Sequence, residues 1–362
     1  MINGSTQIPG SLEWNSFVEA PWVVEDEAQQ TWSQTTDWLV VGFGGAGATA
    51  ALRASQNGLD VIALDKADGG GATLASGGVF YAGGGTRIQQ QLNEQDTPEN
   101  MYQYLKLETG GIISDETLMR FCQNSAANLD WLMEQGVEFS GPVWKQKTSY
   151  PNVDYFLYHS DNSLLPAYQK QAWPAARGHR GVMRKGRSAV NLGGSIYSPL
   201  QSQCRSAGVQ IETKTEAFQL VVAKHDGAVI GVRARQLVPG SKASLEHSRC
   251  LKRGRLINSL YPFFLPGARR VRAWAGKYFA RAAKIDAENR QIVTYRAKAG
   301  VCLSAGGVIF NRPMVEQYCP QIAEGLPPGT ERWRRCQSHE QGHRLALYQS
   351  ARRLGKGHHG GL

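Results

Sequence analysis

No run of apolar residues in this 362-residue chain approaches the roughly 18–20 needed to span a bilayer as a helix, so no membrane-spanning helix is expected. Basic residues are missing from the whole N-terminal end, where the first Lys or Arg is Arg53. A secretory signal needs a basic n-region and transit peptides are Arg-rich, so neither leader is expected and the expected location is the cytoplasm. Cysteine is scarce and unpatterned. The six cysteines stand at 122, 204, 250, 302, 319 and 336 without a CxxC pair, which reads as scattered reduced thiols rather than a zinc framework. Two of the eight histidines, His358 and His359, sit in a glycine-rich tail, and no metal is expected.

Acidic residues are absent from one long stretch. Between Leu251 and Lys284 stand Lys252, Arg253, Arg255, Arg269, Arg270, Arg272, Lys277, Arg281 and Lys284, with no Asp or Glu. That segment carries nearly all of the net charge of +10, so an argument for an anionic partner, nucleic acid or membrane, applies to it alone and not to the whole chain. Its apolar residues include Leu256, Ile257, Leu260, Val271, Trp274 and Phe279. One reading lays the segment on an anionic membrane surface with those residues immersed. The other packs them inward as a solvated insertion. No recognised nucleic-acid motif accompanies the charge, so no nucleic-acid partner is expected.

What is present is a globular composition: 41% apolar and 9% aromatic residues, enough for a substantial core of mixed α/β type. Residues 1–36 are acidic and hold Trp14, Trp22 and Trp32, and read as an arm. Asp37–Val41 predicts a strand, the run AGATAALRASQ from Ala46 predicts a helix ended by Gly58, and Asp60–Leu64 predicts the next strand. Thr97-Pro98 and Ser114 predict helix starts. Residues 140–190 read as irregular and aromatic. Leu192–Cys204 predicts a helix, followed by strands over Val209–Thr213, Phe218–Ala223 and Val229–Arg235. The basic stretch reads as two helices broken at Pro262 and Pro266, and Val293–Ala297 with Gly300–Ser304 as a strand pair.

Gly42-Phe43-Gly44-Gly45-Ala46-Gly47 satisfies GxGxxG between a strand and a helix. The first glycine permits the tight turn, the second lets a pyrophosphate approach the backbone, and the third lets helix and strand pack closely. The phosphates would sit at the helix N-terminus, where free N–H groups and the dipole favour an anion. Asp65, 18 residues past Gly47, ends the second strand, placed to accept hydrogen bonds from a ribose. This unit binds a dinucleotide but does not separate FAD from NAD. Residues 69–85 then hold eight glycines in seventeen positions, interrupted by Leu74, Val79, Phe80 and Tyr81, which suits a packed loop approached closely by a ligand better than a linker.

At these residues the chain resembles the fumarate reductase/3-ketosteroid dehydrogenase group of FAD flavoproteins. The elements that carry the resemblance are Asp65-Lys66, Gly70-Gly71-Ala72-Thr73 and Ser76-Gly77-Gly78, then Asp96-Thr-Pro-Glu-Asn-Met-Tyr102, Arg177-Gly-His-Arg180 and Ala305-Gly-Gly-Val-Ile-Phe-Asn311. It covers about 35 to 325 and is nearest to the ketosteroid enzymes. It implies an α/β fold: a three-layer ββα Rossmann-like FAD-binding domain over 37–310, with a basic helical insertion at 237–291, and the start of an α+β covering (substrate) domain over 311–362. It also implies site residues. Gly42, Gly44, Gly45, Ala46 and Gly47 would hold the pyrophosphate and Asp65 the ribose, while Lys66, Gly71, Ala72 and Thr73 would meet adenosine and phosphate. Ser76, Gly77 and Gly78 would line the flavin ring, Phe218 would meet the adenine through its backbone, and Ala305-Gly306 would close over the dinucleotide. Tyr318 is the candidate catalytic residue, a tyrosine that polarises the substrate carbonyl, set against a packing role on a helix.

Such flavoproteins move hydride between the flavin and a carbon next to an activated C–C bond. The resemblance therefore implies a small-molecule, steroid-like substrate, with a fumarate-reductase-like activity on small unsaturated acids as the alternative. The latter needs arginine clamps that are not identifiable. The resemblance departs at the far end, where Ser338-His-Glu-Gln-Gly342 replaces a GDG-like element and the returning flavin-binding segment is absent. A truncated gene product is the expectation there, with a non-catalytic FAD-binding remnant as a third reading. Tyr81, His179 and Arg180 are open between loop-fixing and ligand contact.

Overall fold

The computed structural model describes residues 19–149, 154–182, 192–260, 266–307 and 320. Through its contacts the chain divides into two compact units, one of Met1–Phe43, Asn57–Gly69 and Gln210–Leu362, the other of Gly44–Gln56 and Gly70–Val209.

The first unit is built on a seven-stranded sheet. Its strands are β1 (Trp22–Val24), β2 (Gln34–Val41), β3 (Val61–Leu64), β8 (Gln210–Glu212), β9 (Thr215–Ala223), β10 (Val229–Leu237) and β11 (Arg290–Leu303), in the order β1-β9-β10-β11-β2-β3-β8. The run β11-β2-β3-β8 is parallel, whereas β10 is antiparallel to both neighbours. Strands of such a sheet are apolar on both sides, as β9 shows. Leu220 and Val222 join Leu39, Ile62, Val232 and Tyr295 in one core cluster, while Val221 and Ala223 join Val24 and Ile230 in another. Successive side chains point to opposite faces, so one strand serves two clusters.

Two sequence expectations are corrected here. Val293–Ala297 and Gly300–Ser304 are not a strand pair but one continuous strand, β11, whose register against β2 shifts between Ala297 and Gly300. A bulge absorbs the interruption that the sequence shows as a break. Trp22–Val24, read within a periodless arm, pairs in parallel with Val221–Ala223 as an edge strand. Between β10 and β11 rise α8 (Lys242–Leu260) and α9 (Ala268–Asn289), the expected helix pair, extended at both ends. They meet through Cys250, Leu251, Ala282, Tyr278, Phe279 and Ile285.

The second unit contains α1 (Gly45–Gln56), α2 (Gly71–Ala75), α3 (Arg87–Gln91), α4 (Pro98–Thr109), α5 (Asp115–Glu134), α6 (Pro166–Gln169) and α7 (Gly194–Ser206). Thr97 and Ser114 cap α4 and α5 as expected, accepting from the N–H groups of Asn100 and Thr117. The 140–190 region is corrected: it supplies most of a four-stranded sheet, β4 (Val79–Tyr81), β7 (Gly178–Arg180), β6 (Leu157–His159) and β5 (Val143–Lys147), in that spatial order. Strands of three residues leave almost no periodicity to read.

Candidate functional site

In the first unit, β2 ends in a turn at Gly42. Its φ of +94° and the 2.8 Å between a Cβ placed there and the Cα of Ala305 exclude any side chain. The turn is pinned from β3. Asp65 is 2% exposed; its Oδ2 accepts from the Phe43 N–H at 2.8 Å and its Oδ1 from the Ala67 N–H at 2.9 Å. Ser304 closes the other side, donating through Oγ to the carbonyls of Val41 and Gly42. Gly42, Asp65 and Ala305, far apart in sequence, thus follow the C-terminal ends of three neighbouring parallel strands, β2, β3 and β11. In open α/β sheets that is where ligands bind.

Lys66 points into a buried ionic cluster. Its Nζ lies 3.3 Å from Glu216 Oε1, and Glu216 also pairs with Arg290 at 2.8 Å. Burial pushes the Lys66 ammonium below the ordinary lysine range, against the pull of Glu216. Two residues along β9, the ring of Phe218 is covered by the guanidinium groups of Arg235 at 4.1 Å and Arg233 at 5.4 Å. Its ring is thereby occupied by two cations of the neighbouring strand. Gly306 follows Ala305 at a φ of +87°.

The second unit brings the two glycine loops together. Gly44 and Gly70 form a parallel bridge, and a Cβ on Gly45 would stand 2.4 Å from the Thr73 hydroxyl, so only glycine lets Thr73 lie against the start of α1. No acidic residue occupies the first turn of α1. The partial positive charge of its N–H groups is then left for an anion, which fits a pyrophosphate. Ser76 Oγ donates to the Thr73 carbonyl and accepts from the Gly78 N–H, so this serine shapes its own loop.

Residues downstream of the glycines are tied to one another by hydrogen bonds, ion pairs and ring contacts. Arg177, fully buried, forms a two-pronged pair with Asp96, both contacts 2.8 Å. Burial opposes its charge, but Asp96 holds it above the ordinary range. Tyr81 donates to Asp161 Oδ2 at 2.8 Å, and burial, then Asp161, push its phenol up. His179, 1% exposed, shares a 2.9 Å bond with the Thr86 hydroxyl, and burial pushes its pKa down to about 4. Arg180 stacks on Phe156. Sequence reading missed the Asp96–Arg177–Asp161 network, whose members stand far apart along the chain. Tyr318 and the expected covering domain over 311–362 lie outside the described residues, apart from residue 320. His339-Glu340-Gln341-Gly342-His343, an HExxH spacing that the histidine reading passed over, lies outside them as well.

A family model described as a FAD binding domain matches residues 37–331. The chain is 40% identical over 227 residues to a 3-oxo-5-alpha-steroid 4-dehydrogenase of Comamonas testosteroni, a match covering 62% of this chain and 41% of that protein. It is 35% identical over 109 residues to a fumarate reductase (cytochrome) of Shewanella frigidimarina, covering 29% of this chain and 19% of that protein. Among solved structures it superposes with a TM-score of 0.70 on a 3-ketosteroid-delta4-(5alpha)-dehydrogenase from Rhodococcus jostii RHA1, solved with 4-androstene-3,17-dione. That alignment is 24% identical and covers 92% of this chain and 56% of the other. The likeness confirms the mixed α/β, FAD-binding fold. The chain spans less than half the length of the curated relatives reported above.

Proposed function

The chain belongs to the FAD binding domain family, and from that premise we propose that it serves a dehydrogenase or reductase acting on a C–C bond next to the carbonyl of a steroid-like ketone. The observation that carries this reading is the 40% identity to a protein named for 3-oxo-5-alpha-steroid oxidation. FAD is the cofactor of the family, and when bound it supplies a ring that accepts or gives hydride.

The chain's own residues have binding and orienting work. In this proposal the N–H groups at the start of α1, with Gly44, Gly45, Ala46 and Gly47, neutralise the pyrophosphate, and Gly71, Ala72 and Thr73 back it. Asp65 holds the Phe43 N–H and faces the ribose, with the backbones of Lys66 and Phe218 toward adenosine, the Lys66 ammonium being engaged by Glu216. Ser76, Gly77 and Gly78 lie along the ring, and Ala305-Gly306 close the end of β11. Tyr318 polarises the substrate carbonyl.

The activity is tested by supplying purified, FAD-saturated protein with 3-ketosteroids and an artificial electron acceptor, and in parallel with fumarate and a reduced dye. Steroid-dependent dye bleaching is the expected result. Turnover of the unsaturated acid alone would replace the substrate assignment while keeping the cofactor. Turnover of neither by a flavin-loaded protein would reduce the chain to a cofactor-binding piece.

A further inference from the structure

The α8–α9 hairpin leaves the seven-stranded sheet at the point where Leu237 on β10 pairs with Arg290 on β11, and nothing in a dinucleotide site calls for it. Its inward faces are accounted for. Cys250, Leu251 and Ala282 form the seam, and Lys214, from the sheet unit, reaches Ser244 and Ser248 of α8 at 3.2 and 2.6 Å. The hairpin is therefore a packed element with a defined outer surface.

That outer surface has a pattern. On α8, Leu245, Arg249, Lys252 and Leu256 are all exposed and follow a 4-3-4 spacing, which places them in one stripe along the helix. On α9, Arg270, Trp274, Lys277 and Arg281 repeat the same spacing, again all exposed. Two cations stand between two leucines on α8 and three cations flank one tryptophan on α9: Leu245 is 50% exposed, Leu256 54% and Trp274 54%. The ion pair between Arg281 and Glu246 joins the edges of the two helices on this side. Arg255 is drawn to Asp68 and Lys284 to Glu288, but the stretch 251–284 contains no acid of its own.

A merely solvated surface has no use for an indole and two leucines set among lysines and arginines. Nucleic acid would use the charge and leave the leucines without contact. An anionic bilayer uses both: cations meet the lipid phosphates, leucines enter the acyl boundary, and an indole sits at headgroup level. We propose that the outer face of the α8–α9 hairpin docks on an anionic lipid surface, holding the sheet unit against a bilayer. The proposed contact is a surface one, and no helix among the described residues is long and apolar enough to cross a membrane. This inference stands apart from the flavin reading, and its test requires no turnover.

The test is co-sedimentation of the full chain with vesicles of phosphatidylcholine containing roughly one third phosphatidylserine, and with vesicles of phosphatidylcholine alone. The expected result is binding to the first and not the second, weakening as salt is raised. Lys252→Glu with Lys277→Glu should lower the partition coefficient by at least about tenfold. Leu256→Ser with Trp274→Ser should lower it at unchanged charge, which a purely electrostatic contact would not do. Failure of the wild-type chain to bind anionic vesicles at low salt overturns the proposal, whatever becomes of the variants. So does equal binding to both vesicle types, or binding of duplex DNA at a salt concentration where vesicles are released.

Discussion

At the scale of single residues, Gly42 and His179 carry the sharpest consequences. Gly42→Ala places a methyl group 2.8 Å from Ala305 in a left-handed backbone, and should destabilise the chain by about 1–3 kcal/mol and abolish flavin retention. Urea melts with a flavin-absorbance assay of the eluted protein check both. His179 is buried neutral, with its pKa held near 4 against about 6.5 in the unfolded chain. The unfolded state binds the extra proton first, so stability is lost as the pH falls from about 6.5 toward 4, by up to roughly 3 kcal/mol. Asp96, which burial would raise but Arg177 holds below its usual range, adds its own loss only at lower pH. Urea midpoints across pH 7 to 4 should show a decline that His179→Gln flattens. An unchanged slope in the variant would remove His179 as its source.

At the scale of elements, long periodic segments were readable and short ones were not. Helices α4 and α5 announce themselves through Thr97-Pro98, Ser114 and the 3–4 spacing of Leu118, Cys122, Ser125 and Leu129. The turn at Gly42, the acid at Asp65 and the loop at 70–78 were legible because each residue type is dictated by backbone geometry or charge rather than by packing. The four-stranded sheet was not, since β4, β6 and β7 are three residues each and are held by side chains such as Arg177, which local sequence cannot pair with Asp96. The α8–α9 seam gives this scale its prediction. A Cβ on Gly254 would meet the Phe279 ring at 2.8 Å, so Gly254→Leu should force the helices apart at a cost of about 1–3 kcal/mol. Proteolysis within 240–290 should quicken in that variant while the rest of the chain stays resistant. Uniform resistance would mean that the seam tolerates the added volume.

At the scale of the whole molecule, one chain supplies the strand-end turn, the helix start free of acidic residues and the glycine loop that a FAD-binding domain needs, within a family match over 37–331. Substrate chemistry rests on similarity to proteins of which this chain spans a part; cofactor binding rests also on its own geometry. The most direct measurement is therefore the visible absorption spectrum of the purified protein before and after incubation with FAD and gel filtration. Bands near roughly 370 and 450 nm that travel with the wild-type protein, and are missing from Gly42→Ala, are the predicted result. A folded wild-type chain that stays colourless after incubation would contradict the account.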